Sequence, residues 1–250
     1  MNPAPHKSDR AGWLTGPAAA CSPANGNVQR PYHLILLGAP GVGKGTQAAL
    51  LSNHLHACHL STGDVFRAAK SADQCHLSPA MAQALIAMRR GELVADATVL
   101  QIVKERTACL SCRGGFILDG FPRTLEQARA LQDILQEQHV KLDATLDYEM
   151  PLAEVVSRLS GRRTCGTCKA VYHVQTHPPK VRDICDLCGN ALIQREDDKP
   201  QAVAVRMETY QRSTAPLIDF YAKLGLLVQI KATGSPEEIM QRSMTQLESR

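Results

Sequence analysis

The stretch that most constrains this chain is "YHLILLGAPGVGKGTQ", residues 32–47. Its first half is a short apolar run closed by Gly38, the pattern of a strand buried on both faces of a parallel sheet. Its second half gathers Gly41, Gly43 and Gly45 around Lys44, and "KGTQAALLSNHLHA" then keeps apolar residues at helical spacing without a breaker. Strand, glycine loop and helix in that order is the setting a phosphate-binding loop requires. Small residues let the backbone N–H groups close on an anion, and the positive end of the helix points at it. Loops of this kind usually carry Ser or Thr directly after the lysine. Here Gly45 holds that place and the hydroxyl follows at Thr46.

Further strands are expected at 114–119, 144–150 and 226–232, with helices around 79–90, 97–107, 124–139, 151–160 and 200–223. Such alternation implies an α/β fold, one parallel sheet flanked by helices, with ligands at the carboxyl ends of its strands. "GGFILDG" puts Asp119 at one of those ends, where a carboxylate can hold the water shell of Mg²⁺.

A chain of 250 residues can bury one sizeable core, with room for small inserted subdomains. Its net charge of +4 suits a phosphorylated small molecule, and with only 4% aromatics a base-stacking surface for nucleic acid is not expected. No apolar run has the length of a membrane span. Residues 1–30, rich in Pro, Ala, Gly and Asn and without an amphipathic period, are expected to be a disordered tail.

Four of the nine cysteines form two C-x-x-C pairs, "CGTC" (165–168) and "CDLC" (185–188), sixteen residues apart. Two such turns complete a closed tetrahedral thiolate shell for Zn²⁺ from Cys165, Cys168, Cys185 and Cys188. A redox dithiol or unligated cysteines are the alternatives. His173 and His177 lie between the pairs, but four thiolates already saturate the ion. The lone "CLSC" (109–112) reads as two ordinary cysteines.

"GAPGVGKGTQ", "STGDVFR" (61–67) and "DGFPRTLEQA" (119–128) together closely resemble the adenylate kinase family, in which glycine follows the loop lysine and threonine comes next. The resemblance runs through "GELVAD", "GRRTC", "REDD" and "ATGSPEE", over residues 32–240. It implies the P-loop nucleoside monophosphate kinase fold, with an inserted monophosphate-binding subdomain and a zinc-stapled lid. The expected division is a tail (1–30), core with the P-loop (31–60), monophosphate subdomain (61–94), core (95–160), lid (161–198) and core (199–250).

It further implies Mg²⁺-dependent transfer of a phosphoryl group between ATP and AMP, giving ADP, in a cytoplasmic monomer that binds neither membrane nor nucleic acid. ATP is expected at Gly41, Val42, Gly43, Lys44, Gly45 and Thr46, with Arg158 stacked by its adenine, Val171 and Tyr172 over it and the backbone of Gly234 meeting the base. AMP is expected at Thr62, Arg67, Glu92, Leu93, Val94, Gly120, Phe121, Pro122, Arg123 and Gln127. Within that set, Arg67 and Arg123 take the phosphate and Gln127 reads the adenine edge. Arg195 and Arg206 are expected to bridge the two nucleotides' phosphates. Lys44, Asp119, Arg123, Arg158, Arg162, Arg195 and Arg206 form the implied catalytic set. Zinc is then structural and Mg²⁺ catalytic.

This chain departs from the family pattern at Ala95, where proline is usual, and in "SADQCHLSPAMAQALIAMRR" (71–90), which is longer than usual and lacks the usual glycine. A kinase for another monophosphate is the near alternative; a nucleotide switch or a zinc-ribbon nucleic-acid binder is the distant one. The switch lacks an N-K-x-D guanine-reading motif, and between the paired cysteines the only aromatic is Tyr172.

Overall fold

The computed structural model describes residues 30–69, 79–89, 94–104 and 114–250. The expected tail, save Arg30, and the "CLSC" pair lie outside the described residues.

Five strands, β1 (Tyr32–Gly38), β2 (Cys58–Ser61), β3 (Gly115–Asp119), β4 (Ala144–Glu149) and β8 (Leu227–Lys231), form one sheet in the order β2-β3-β1-β4-β8. All four pairings are parallel. The apolar run of β1 explains its central place. Leu34 and Leu36 point into one buried cluster, Ile35 and Leu37 into another on the opposite face. Each fully buried leucine or isoleucine contributes about 1.5–3 kcal/mol, so four in a row fix this strand at the middle of the sheet.

One face is covered by α1 (Lys44–Leu55) and α9 (Pro236–Glu248), through Ala48 and Leu51 and through Ile239 and Leu247. The other is covered by α3 (Pro79–Arg89), α4 (Asp96–Lys104), α5 (Leu125–Glu137) and α8 (Pro216–Lys223). Two further helices, α2 (Thr62–Ala69) and α6 (Leu152–Gly161), follow the carboxyl ends of β2 and β4. From β1 the chain crosses to β2 on one side, and from β4 to β8 on the other. The carboxyl ends of β1 and β4 therefore flank a switch point, where an open parallel sheet takes its ligand.

Residues between α6 and α7 (Pro200–Thr209) build a separate antiparallel sheet of three short strands, β5 (Arg162–Cys165), β6 (Val171–His173) and β7 (Leu192–Ile193). Its core is Cys165, Tyr172, Cys185 and Leu192.

The structure adds strand β2 and helices α2 and α9 to the expected elements and breaks one expected helix. Strand β2 has four residues including polar His59, too short for a periodic signal, and is specified by pairing with β3. Helix α9 opens with a capping box in which Ser235 and Glu238 satisfy each other's backbone N–H groups; "SPEE" carries that signal. The expected helix 200–223 is instead α7, a π-turn at Tyr210–Thr214 and α8. No described helix is long and apolar enough to cross a membrane.

Candidate active site

The loop after β1 turns through Gly38, Gly41 and Gly43, all at positive φ. Two of these are also close-approach points. A side chain on Gly38 would meet the Tyr148 carbonyl oxygen at 2.5 Å, and one on Gly41 would strike Leu159 at 2.5 Å. Helix α1 then starts at Lys44 with no acidic residue in its first turn and no side-chain cap, a positive helix end that suits an anion. The lysine is curled back: Nζ donates to the carbonyls of Gly38 at 2.6 Å and Ala39 at 2.9 Å. Burial pushes its pKa down to about 8, opposed first by the charge of Asp119. Arg123 and Arg206 lower it further, while Asp147 raises it. One lysine thus senses residues from β3, β4, the loop after β3 and α7.

Asp119 ends β3 with its Oδ2 3.4 Å from where a side chain on Gly45 would begin. A carboxylate over the loop, one residue from Thr46, suits a hard cation bound through water and phosphate oxygens, so the residues present fit Mg²⁺. Two nearby residues escaped the sequence reading. His59 Nε2 lies 3.6 Å from Asp119 Oδ2. Asp147, on β4, is buried with neither oxygen hydrogen-bonded within the described residues, and burial, then Glu149, raises its pKa to about 6.

On the far side of the loop, the Gly120 carbonyl accepts from the Thr62 hydroxyl at 2.9 Å and from Arg123 Nε at 2.8 Å. This carbonyl joins two residues of the expected AMP site. Phe121 and Pro122, linked by a cis peptide bond, are buried, Phe121 within the main core. Gln127 is also buried: its Oε1 accepts from the Arg123 N–H at 2.8 Å and its Nε2 donates to Asp96 at 2.7 Å. Val94 packs on the core. Glu92 and Leu93 lie outside the described residues, as does the side chain of Arg67, whose backbone is in α2.

Two of the arginines, Arg162 and Arg206, meet on an acid that sequence reasoning passed over. Asp198 is fully buried and accepts a two-pronged contact from Arg162, at 2.7 Å from Nε and 2.5 Å from Nη2. Arg206 adds Nη1 at 3.4 Å, with the Asp197 carbonyl at 2.7 Å. Arg195 Nε donates to Thr164 at 2.9 Å. Arg158, on α6, has Nη1 3.9 Å from where a side chain on Gly43 would start, so it overhangs the phosphate loop. Burial lowers its pKa, opposed by Glu154. Gly234 follows β8 at positive φ, its loop held by Arg242 on the Thr233 carbonyl and by Gln47 of α1 on the Pro236 carbonyl.

In the insert, the sulfurs of Cys165, Cys168, Cys185 and Cys188 all lie within 4.8 Å of one another, with Cys165–Cys188 and Cys168–Cys185 at 3.4 Å. Sulfurs on a tetrahedral zinc sit about 3.8 Å apart, given Zn–S bonds of ~2.3 Å, whereas a disulfide would draw a pair to about 2 Å. The cluster therefore fits zinc. Hydrogen bonds from Asn190 favour the thiolate at Cys188, to about 6. The ring of Tyr172 is buried in this cluster, its hydroxyl accepting from the Asp186 N–H at 2.9 Å and its face stacked on His177. Of the pair expected over ATP, Val171 is exposed, while Tyr172 spends its side chain on the insert and has backbone left to offer.

A model of the family described as adenylate kinase matches residues 36–226. The adenylate kinase of Thermodesulfovibrio yellowstonii is 47% identical over 206 residues, 82% of this chain and 94% of that protein. Those of Carboxydothermus hydrogenoformans and Acidothermus cellulolyticus are each 46% identical, over 82% and 86% of this chain and 94% and 97% of their own lengths. The chain belongs to the adenylate kinase family. Its five-stranded parallel sheet and phosphate loop are those of the P-loop nucleoside monophosphate kinase fold.

Proposed function

We propose that the chain is an adenylate kinase that moves the γ-phosphoryl group of ATP to AMP, giving two ADP, reversibly. The observation that carries this reading is the phosphate loop itself, with Lys44 opening α1, Arg158 overhanging Gly43 and Asp119 beside Gly45 at the carboxyl edge of the sheet. An AMP phosphate oxygen bonds to the γ-phosphorus as its bond to the bridging oxygen of ATP breaks. Such a transfer needs charge neutralised on the moving oxygens and two oxygens held in line, with little covalent work for the protein.

The loop backbone from Gly41 to Thr46 cradles the ATP phosphates, and Lys44 reaches the outer ones as a point charge. Arg158 covers the ATP side, and the backbones of Val171, Tyr172 and Gly234 approach its adenosine end. Arg67 and Arg123 hold the AMP phosphate; Thr62, Glu92, Leu93, Val94, Gly120, Phe121, Pro122 and Gln127 line the rest of that site. Arg162, Arg195 and Arg206 approach the transferred group, where planar guanidinium forks suit paired oxygens better than ammonium does. Mg²⁺ bound with ATP would neutralise charge across its phosphates, with Asp119 holding its water. Zn²⁺ would hold the fold of the 161–198 lid, inserted in a core of 31–60, 95–160 and 199–250 beside a monophosphate subdomain at 61–94. We take the enzyme as a monomer, as the family resemblance implies. A zinc shell of four thiolates suits the reducing cytoplasm.

The test is a coupled assay with MgATP and AMP, GMP, CMP or UMP. AMP is expected to be the preferred acceptor, and a clear preference for another monophosphate would overturn the acceptor assignment. Arg123→Ala should raise KM for every acceptor, whereas Gln127→Ala should chiefly erode the choice among bases, because a wrong base leaves buried polar groups unpaired. Unaltered AMP preference in Gln127→Ala would refute that division of labour.

A further inference from the structure

We infer that Asp96 is a positioning residue that fixes the acceptor base by holding the Gln127 amide in one orientation. The inference rests on the reading of Gln127 as the residue that meets the base.

Gln127 sits at the start of α5, buried, with each end of its amide bound to a partner that can act in only one way. Nε2 donates to Asp96 Oδ1 at 2.7 Å, and a carboxylate only accepts. Oε1 accepts from the Arg123 N–H at 2.8 Å, and a backbone N–H only donates. Rotating the amide by half a turn would set oxygen against oxygen on one side and N–H against N–H on the other. Both contacts would fail in a buried place where neither group can turn to water. The carboxylate is itself held, because the Thr124 hydroxyl donates to Asp96 Oδ2 at 2.7 Å. That same hydroxyl accepts from the Gln127 N–H at 3.2 Å, closing a ring of three side chains across α4 and α5.

Once these bonds are made, Nε2 has one hydrogen left and Oε1 one lone pair, in a fixed order. Adenine carries an amino donor where guanine carries a carbonyl acceptor. A freely turning glutamine could satisfy either base by exchanging its nitrogen and oxygen. A locked one can satisfy only the base whose donor and acceptor match its own order. Selectivity then comes from the pairing Asp96 forbids as much as from the one it allows.

The prediction concerns Asp96→Asn, near in shape but able to donate or accept, which removes one of the two one-way partners and leaves the Arg123 N–H as the one remaining bar to the glutamine's turning. Asp96→Ser, a residue well suited to a helix start, does the same in a second background. In both, the ratio of kcat/KM for AMP over GMP should fall on the order of tenfold or more, with KM for ATP unchanged. Thr124→Val loosens the same corner without altering what Asp96 can accept; it should lower the melting temperature yet keep the ratio. A wild-type enzyme that prefers AMP together with Asp96 variants that keep the full preference overturns the lock alone. An equal loss of preference in Thr124→Val overturns it too, since general loosening would then be the cause. A wild-type enzyme without AMP preference overturns the reading of the acceptor site and the lock with it.

Discussion

Lys44→Met is expected to lower turnover roughly hundred- to thousandfold, a loss of ~3–4 kcal/mol of transition-state stabilisation, while the chain stays folded. The lysine Nζ sits at the mouth of the loop, held by two carbonyls that curl it over the place a phosphate would take. Methionine has a similar length but no charge, so it leaves the transferring oxygens without their nearest point charge. Stability should change far less. Burial already lowers the lysine's pKa to about 8, so below that pH the native state disfavours the very charge that the unfolded chain carries freely. Removing the ammonium relieves that penalty while giving up two hydrogen bonds, and the two effects oppose each other. Steady-state kinetics and thermal melting on the same preparation separate them. Near-normal turnover in a folded variant would refute the assignment of the phosphate loop.

Cys165→Ser/Cys168→Ser is expected to abolish zinc binding and to unfold the insert well before the core. The insert's three strands have four, three and two residues, and two of its four core side chains are themselves the cysteines Cys165 and Cys185. So small a sheet has almost no apolar area to offset its chain entropy, and a bound metal supplies that free energy directly. A shell closed by four thiolates leaves no position for a phosphate, so the ion's effect on turnover runs through the insert's shape. Metal content and the first thermal transition should fall together, while part of the activity survives in the cold because Lys44, Arg123 and Asp119 lie outside the insert. Metal analysis of Cys109→Ser/Cys112→Ser, which should keep its zinc, is the control. Zinc lost there and retained in the Cys165/Cys168 variant would show that the wrong pairs were chosen.

What could be read from the sequence was what is local. The run before Gly38, the loop glycines and the C-x-x-C pairs each carry their meaning within a few adjacent residues. The residues that escaped are those whose role is set by distant partners. Asp198 grips Arg162 from 36 positions away, and Asp96 meets Gln127 from 31 away. A single acid in a polar stretch has no period or spacing to mark it. Tyr172 shows the same limit from the other direction. Its motif position suggested a nucleotide contact, but the cysteines around it determine where the ring goes. Strand β2 was hidden because four residues beside a preformed edge need only hydrogen bonds, and any extended segment can supply those.

The π-turn at Tyr210–Thr214 has a consequence for how one length of chain serves two masters. A regular α-helix couples angle to length: each residue added rotates everything beyond it by about 100°. Continued without interruption, such a helix could aim Arg206 toward Asp198 or bury Leu217 and Tyr221 beneath the sheet, but its pitch would dictate the angle between those tasks. The wider turn takes up an extra residue and uncouples the two bearings, while Thr214 fastens the joint to the Arg123 carbonyl at 3.0 Å. Deleting a single residue from the joint would throw both out of alignment at once.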